Sequence, residues 1–61
     1  MPIVEIKLIE GRTVDQKREM AQAITQEICR IAQVPPERVI INFVDMKKEN
    51  IANAGKLKSD D

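Results

Sequence analysis

The stretch Val39 to Met46 reads Val-Ile-Ile-Asn-Phe-Val-Asp-Met, and its apolar residues fall on both faces of an extended strand. Val39, Ile41 and Phe43 lie on one face, and Ile40, Val44 and Met46 lie around Asn42 on the other. A strand that is apolar on both faces has to be covered twice. Upstream, Ile3 to Ile9 (Ile-Val-Glu-Ile-Lys-Leu-Ile) is another β-branched run, with Val4, Ile6 and Leu8 opposite Ile3, Glu5, Lys7 and Ile9. Between the two runs Met20, Ile24, Ile28 and Ile31, joined by Ala23 and Ala32, recur at spacings of three and four, which predicts a helix with one apolar stripe serving as core. Gln16, Lys17, Arg18, Gln22, Gln26 and Arg30 lie outside the stripe. The helix is expected from about Val14 to Gln33, opened by a capping box of Thr13 and Gln16 with Asp15 in its first turn, and ended by Val34-Pro35-Pro36. Glu10-Gly11-Arg12 reads as the turn before it, and Phe43 and Cys29 read as core and as a small helix residue.

Strand, helix and strand make a right-handed β-α-β unit with two parallel strands, an α/β fold in a single domain over residues 1–61. The polar tail Lys47 to Asp61, with a tight turn at Ala54-Gly55, predicts a short hairpin and a frayed Lys58–Asp61 end. One helix covers one face of this sheet, so the other must meet another subunit. A chain of 61 residues is short of core in any case, burying only about 60% of its unfolded surface. Cys29 alone forms no intrachain disulfide, and without histidine or a cysteine cluster no structural metal is indicated. Oligomerisation is the remaining device.

Ten Lys plus Arg balance ten Asp plus Glu and are spread along the chain, and one Phe without Trp or Tyr offers no stacking platform, so a nucleic-acid partner is not expected. The first ten residues carry Glu5, Lys7 and Glu10 within an alternating pattern, unlike a signal peptide or a membrane span. A soluble, cytoplasmic protein is the expectation.

Pro2 directly follows Met1. Trimming of the methionine would leave a free secondary amine at the start of a strand, somewhat more basic than an ordinary α-amino group, for which values lie near ~7.7 to 8.0. Apolar neighbours and a nearby guanidinium would disfavour its ammonium form and make it a neutral base at working pH. On the residues alone, the alternative is that Pro2 opens an edge strand where a missing N–H does no harm.

The N-terminal Pro-Ile-Val-Glu-Ile-Lys-Leu-Ile-Glu-Gly-Arg-Thr, the Asp-Gln-Lys opening the helix, the second strand and the Ala-Gly-Lys of the tail together resemble the 4-oxalocrotonate tautomerase family, over nearly the whole chain. The resemblance implies β-α-β chains that dimerise into four-stranded sheets and assemble as hexamers, trimers of dimers. It implies a keto-enol tautomerase needing neither cofactor nor metal, in which Pro2 is the general base on an enol or unsaturated 2-oxo acid. Arg12 would grip a substrate carboxylate, and backbone groups around Ile9 would also meet the substrate. Read without the resemblance, Arg12 is a turn residue supporting the helix or pairing with Glu10.

Two positions depart from the family's best-known members. Ile40 stands where they carry a strand arginine contributed by a neighbouring subunit, and an aliphatic side chain neither binds a carboxylate nor polarises a carbonyl. Arg38, two residues earlier, is either a partial substitute or a solvated arginine at the strand entrance. Ile51 replaces a pocket-lining aromatic and keeps its apolar character. Asn50-Ile51-Ala52-Asn53 offers amides where haloacrylate-hydrating relatives use an added carboxylate, which favours tautomerisation over dehalogenation. The competing expectation is an oligomeric ligand-binding or scaffold protein with incidental activity.

Overall fold

A computed structural model describes all 61 residues, Met1–Asp61. Strand β1 (Ile3–Ile9), helix α1 (Val14–Ala32) and strand β2 (Ile40–Met46) are followed by a hairpin of β3 (Ala52–Asn53) and β4 (Lys56–Leu57). β1 and β2 pair in parallel, from Ile3 opposite Ile40 to Ile9 opposite Met46, and β3 and β4 form a separate antiparallel pair.

Local sequence sets the boundaries. Thr13 Oγ1 accepts from the Gln16 N–H at 3.1 Å while Gln16 Oε1 accepts from the Thr13 N–H at 2.9 Å, so the expected capping box forms. The helix ends at Ala32, one residue earlier than expected, because Gln33 turns left-handed (φ 56°) and its N–H closes on Cys29 O at 3.1 Å. β2 likewise starts at Ile40 and not at Val39, whose N–H is spent on Pro36 O (3.1 Å) in the 3₁₀ turn Pro36–Arg38.

Lys17 Nζ reaches Asp45 Oδ2 at 2.8 Å, which places Asp45 beneath the helix together with Ile41 and Phe43 and their register partners Val4, Ile6 and Leu8. The other face carries Ile3, Glu5, Lys7, Ile9, Ile40, Asn42, Val44 and Met46; Ile3 and Ile40 on it are 71% and 47% exposed, while Val44 and Met46 are half-buried. The helical stripe is a weaker core than expected. Met20, Ile24 and Ile28 are half-buried, but Ala21, Thr25 and Cys29 accompany them, whereas Ala23, Ala32 and Ile31 are exposed. Two strands are too narrow to cover the helix's whole apolar arc.

No residue of the chain is fully buried. Its accessible surface, 4930 Å², exceeds by roughly 900 Å² the ~4,000 Å² usual for a compact monomer of 6.9 kDa. The radius of gyration is 14.7 Å, against about 10.5 Å for a compact chain of this length. The single chain is therefore more extended and more exposed than a compact monomer of its size.

The tail forms the expected hairpin, its turn made by Ala54 (φ 54°) and Gly55 (φ 81°). Its end does not fray as expected. Lys58–Asp60 curls into a 3₁₀ turn, Lys58 N–H donates to Ile51 O at 2.8 Å, and Asp61 pairs with Lys56 (3.4 Å) and Lys58 (3.7 Å). No helix is long and apolar enough to cross a membrane.

Candidate active site

The candidate residues fall into two groups. Pro2 is half-buried at the head of β1, and its carbonyl accepts from Ile40 N–H at 3.0 Å, so Ile40 lies directly beside the Pro2-Ile3 segment. Arg38 sits at this same end, at the close of the 3₁₀ turn that leads into β2; it is exposed and pairs with no carboxylate.

Ile9, Arg12 and Ile51 belong to the far end. Ile9 closes β1 and is 37% exposed. Glu10 N–H extends the ladder to Met46 O (2.9 Å), Gly11 at φ 117° turns the chain, and the Thr13 cap begins the helix. Gly11 is needed for that turn, since an L side chain is strained at this φ. Arg12 is thereby held between a strand end and a capped helix start. Its guanidinium pairs with no carboxylate, Glu10 included. It borders an open groove of about 450 Å³ with Leu8, Gln16, Glu19, Met20 and Ala23. Ile51, half-buried, follows the turn Lys48–Asn50 past the end of β2. No three His, Cys, Asp or Glu side chains gather as a metal site.

At about 3.3 Å per residue, the seven steps from Pro2 to Ile9 span roughly 23 Å, and Arg12 lies past that end. No small acid reaches both Pro2 and Arg12 of one chain. The candidate residues read from the sequence are thus divided between the two ends of β1, with Ile3 beside Ile40 at the Pro2 end.

The outer edge of β1 completes the picture. Pro2 O and Glu10 N both bond toward β2, so with a period of two the even residues of β1 face β2, and Ile3, Glu5, Lys7 and Ile9 present their N–H and C=O groups outward. An unpaired edge of this kind is a template for another strand.

A β-α-β unit of two parallel strands joined by one long helix, followed by a short antiparallel hairpin, defines a class of small α/β proteins. Within that class the chain belongs to the tautomerase family, whose model, described as tautomerase enzyme, matches residues 2–61. It is 35% identical over 60 residues to the 2-hydroxymuconate tautomerase of Bacillus subtilis, covering 98% of this chain and 97% of that one. It is 37% identical over 60 residues to a probable tautomerase of Halalkalibacterium halodurans, covering 98% of each. The crystal structure of YwhB, a homologue of 4-oxalocrotonate tautomerase, matches with a TM-score of 0.93 at 33% identity over 98% of both chains. The protein is a tautomerase, an isomerase by reaction class.

Proposed function

We propose that the protein ketonises 2-hydroxydienoates of the 2-hydroxymuconate kind, with Pro2, freed by removal of Met1 in the cytoplasm, as general base and Arg12 as carboxylate anchor. The prolyl nitrogen takes the proton of the 2-hydroxyl. The O–H pair becomes the carbonyl π bond, the conjugated double bonds shift, and the prolinium returns the proton to a carbon at the far end of the dienol. Atoms and charges balance without a co-reactant.

The observation that carries this reading is the placement of Pro2 and the unpaired Arg12 at opposite ends of an exposed strand edge. Two β1 edges paired antiparallel about a twofold axis bring one chain's Pro2 to the partner's Arg12. Of the neighbouring registers, centring on Glu5 or on Lys7 sets like charges face to face. Centring on Ile6 sets Glu5 against the partner's Lys7 and Ile3 against the partner's Ile9. The dimer so formed has a four-stranded sheet whose helix-free face is still open, and a trimer of such dimers would close it. Arg12 then offers parallel N–H donors to a substrate carboxylate and draws electrons toward the far end of the dienol, where the proton is delivered.

The test is 2-hydroxymuconate ketonisation by methionine-free protein beside Pro2→Ala at matched oligomeric state. Loss of activity in the variant supports the prolyl base. Equal rates would refute it and leave a ligand-binding or scaffold assembly.

A further inference from the structure

We infer that Lys17 and Asp45 form a positioning pair for Arg12: their ion pair fixes the start of the helix against the end of β2 and thereby aims the arginine at the substrate carboxylate. The inference deepens the reading above and rests on Arg12 as the anchor.

Arg12 has nothing of its own to hold it. Neither Gly11 nor Arg12 makes a hydrogen bond, and Gly11 sits at φ 117°, so the direction of the guanidinium is decided by what holds the residues on either side. On one side, Glu10 N–H donates to Met46 O at 2.9 Å. On the other, Thr13 O accepts from Lys17 N–H at 3.1 Å, and Lys17 Nζ crosses to Asp45 Oδ2 at 2.8 Å. Both flanks of the Gly11-Arg12 step are thus tied to two successive residues of β2, Asp45 and Met46. The first tie is backbone to backbone, whereas the second depends on one lysine and one aspartate.

That second tie is the only hydrogen bond or ion pair joining α1 to the sheet, and its lysine side chain is 24% exposed. The other charges at this end neither compete for it nor replace it. Arg18 turns back along the helix to Asp15, Lys58 pairs with Asp61, and Glu10, Glu19, Lys47 and Lys48 pair with no opposite charge. Glu19 borders the same groove as Arg12 yet leaves its guanidinium unpaired. Without the pair, α1 meets the sheet through apolar contacts alone, none of them from a fully buried residue, and nothing directional fixes its first turn along the strand. A carboxylate gripped by two parallel N–H donors tolerates little displacement of them, and a misplacement of about 1 Å costs on the order of a hundredfold in rate.

The test is a double-mutant cycle on kcat/KM for 2-hydroxymuconate ketonisation by methionine-free protein at matched oligomeric state. Lys17→Met keeps the aliphatic stem, removes the charge and should lower kcat/KM roughly tenfold. Lys17→Arg, which restores a cation opposite Asp45, should recover most of that loss. In an Arg12→Ala background Lys17→Met should cost less than about twofold, because no anchor is left to misplace. If Lys17→Met does not assemble, Asp45→Asn, which keeps the shape and an acceptor, gives the same cycle with a loss of about threefold.

Arg12→Ala by itself separates the two levels of failure. Wild-type rates in that variant would remove the anchor reading, and this inference with it. A loss in Arg12→Ala combined with an equal effect of Lys17→Met whether Arg12 is present or absent would overturn the inference alone and leave the pair as a support of the fold. Wild-type kcat/KM in an assembled Lys17→Met would overturn it as well.

Discussion

If Pro2 is the base and Arg12 the anchor, as proposed, their placement about 23 Å or more apart along β1 means that two impaired variants of this protein should restore each other. Pro2→Ala removes the base. Arg12→Ala removes a charge-assisted carboxylate contact, a loss of about 1.5–3 kcal/mol, or roughly 10- to 150-fold in kcat/KM. In a mixed dimer, one site joins the intact Pro2 of the Arg12→Ala chain to the intact Arg12 of the Pro2→Ala chain, while the other site has lost both. Random pairing of equal amounts makes about half the dimers mixed, and half their sites are whole, so recovery should approach about one quarter of wild-type activity. The assay is ketonisation of 2-hydroxymuconate after the two variants are unfolded together and refolded together, with mixed oligomers verified by native mass spectrometry. Varying the input ratio should give a maximum at equal amounts. Mixed oligomers with no activity beyond the sum of the separate variants would refute the reasoning, because base and anchor would then act within one chain.

Two further outcomes follow from the same structure. With no buried residue to hold a monomer, the melting temperature should depend on concentration. At about 0.7 kcal/mol of unfolding enthalpy per residue, tenfold dilution should lower it by about 6 °C for a dimer and about 10 °C for a hexamer, each unfolding in one step, and scanning calorimetry over a hundredfold range that shows no change would contradict this. Thr13→Ala deletes the Oγ1 acceptor of the capping box and should cost about 1 kcal/mol per chain, some 8 °C in melting temperature, read by circular dichroism at fixed concentration. Thr13→Ser should recover most of that loss.

How much of this molecule a sequence can show depends on the range of the interactions involved. β1, α1 and the capping box were legible because each is written within a few residues: period two at Ile3–Ile9, period three to four through Ile24 and Ile28, and the Thr13–Gln16 reciprocity. The misjudged ends are places where a backbone group had a competing partner. Gln33 N–H went to Cys29 O, Val39 N–H to Pro36 O and Lys58 N–H to Ile51 O, and no periodicity reports such choices. The stripe at Ala23, Ile31 and Ala32 was overestimated because periodicity measures what a helix offers, not how wide a surface exists to receive it.

The candidate site lies one level further out. Pro2 and Arg12 were each recognisable by residue type and by the family motif, yet their relation is fixed by the length and direction of β1, and direction matters only once a second β1 is laid against the first. The same edge explains why catalysis and folding should fail together in this protein. The strand whose open edge is proposed to pair with a second β1 is the strand whose two ends carry the proposed base, Pro2, and the proposed anchor, Arg12. In the proposed dimer an edge substitution that weakened pairing would therefore separate Pro2 from the partner's Arg12 and destabilise both chains at once, and the Glu5–Lys7 complementarity proposed to select the register would also select which residues meet across the site.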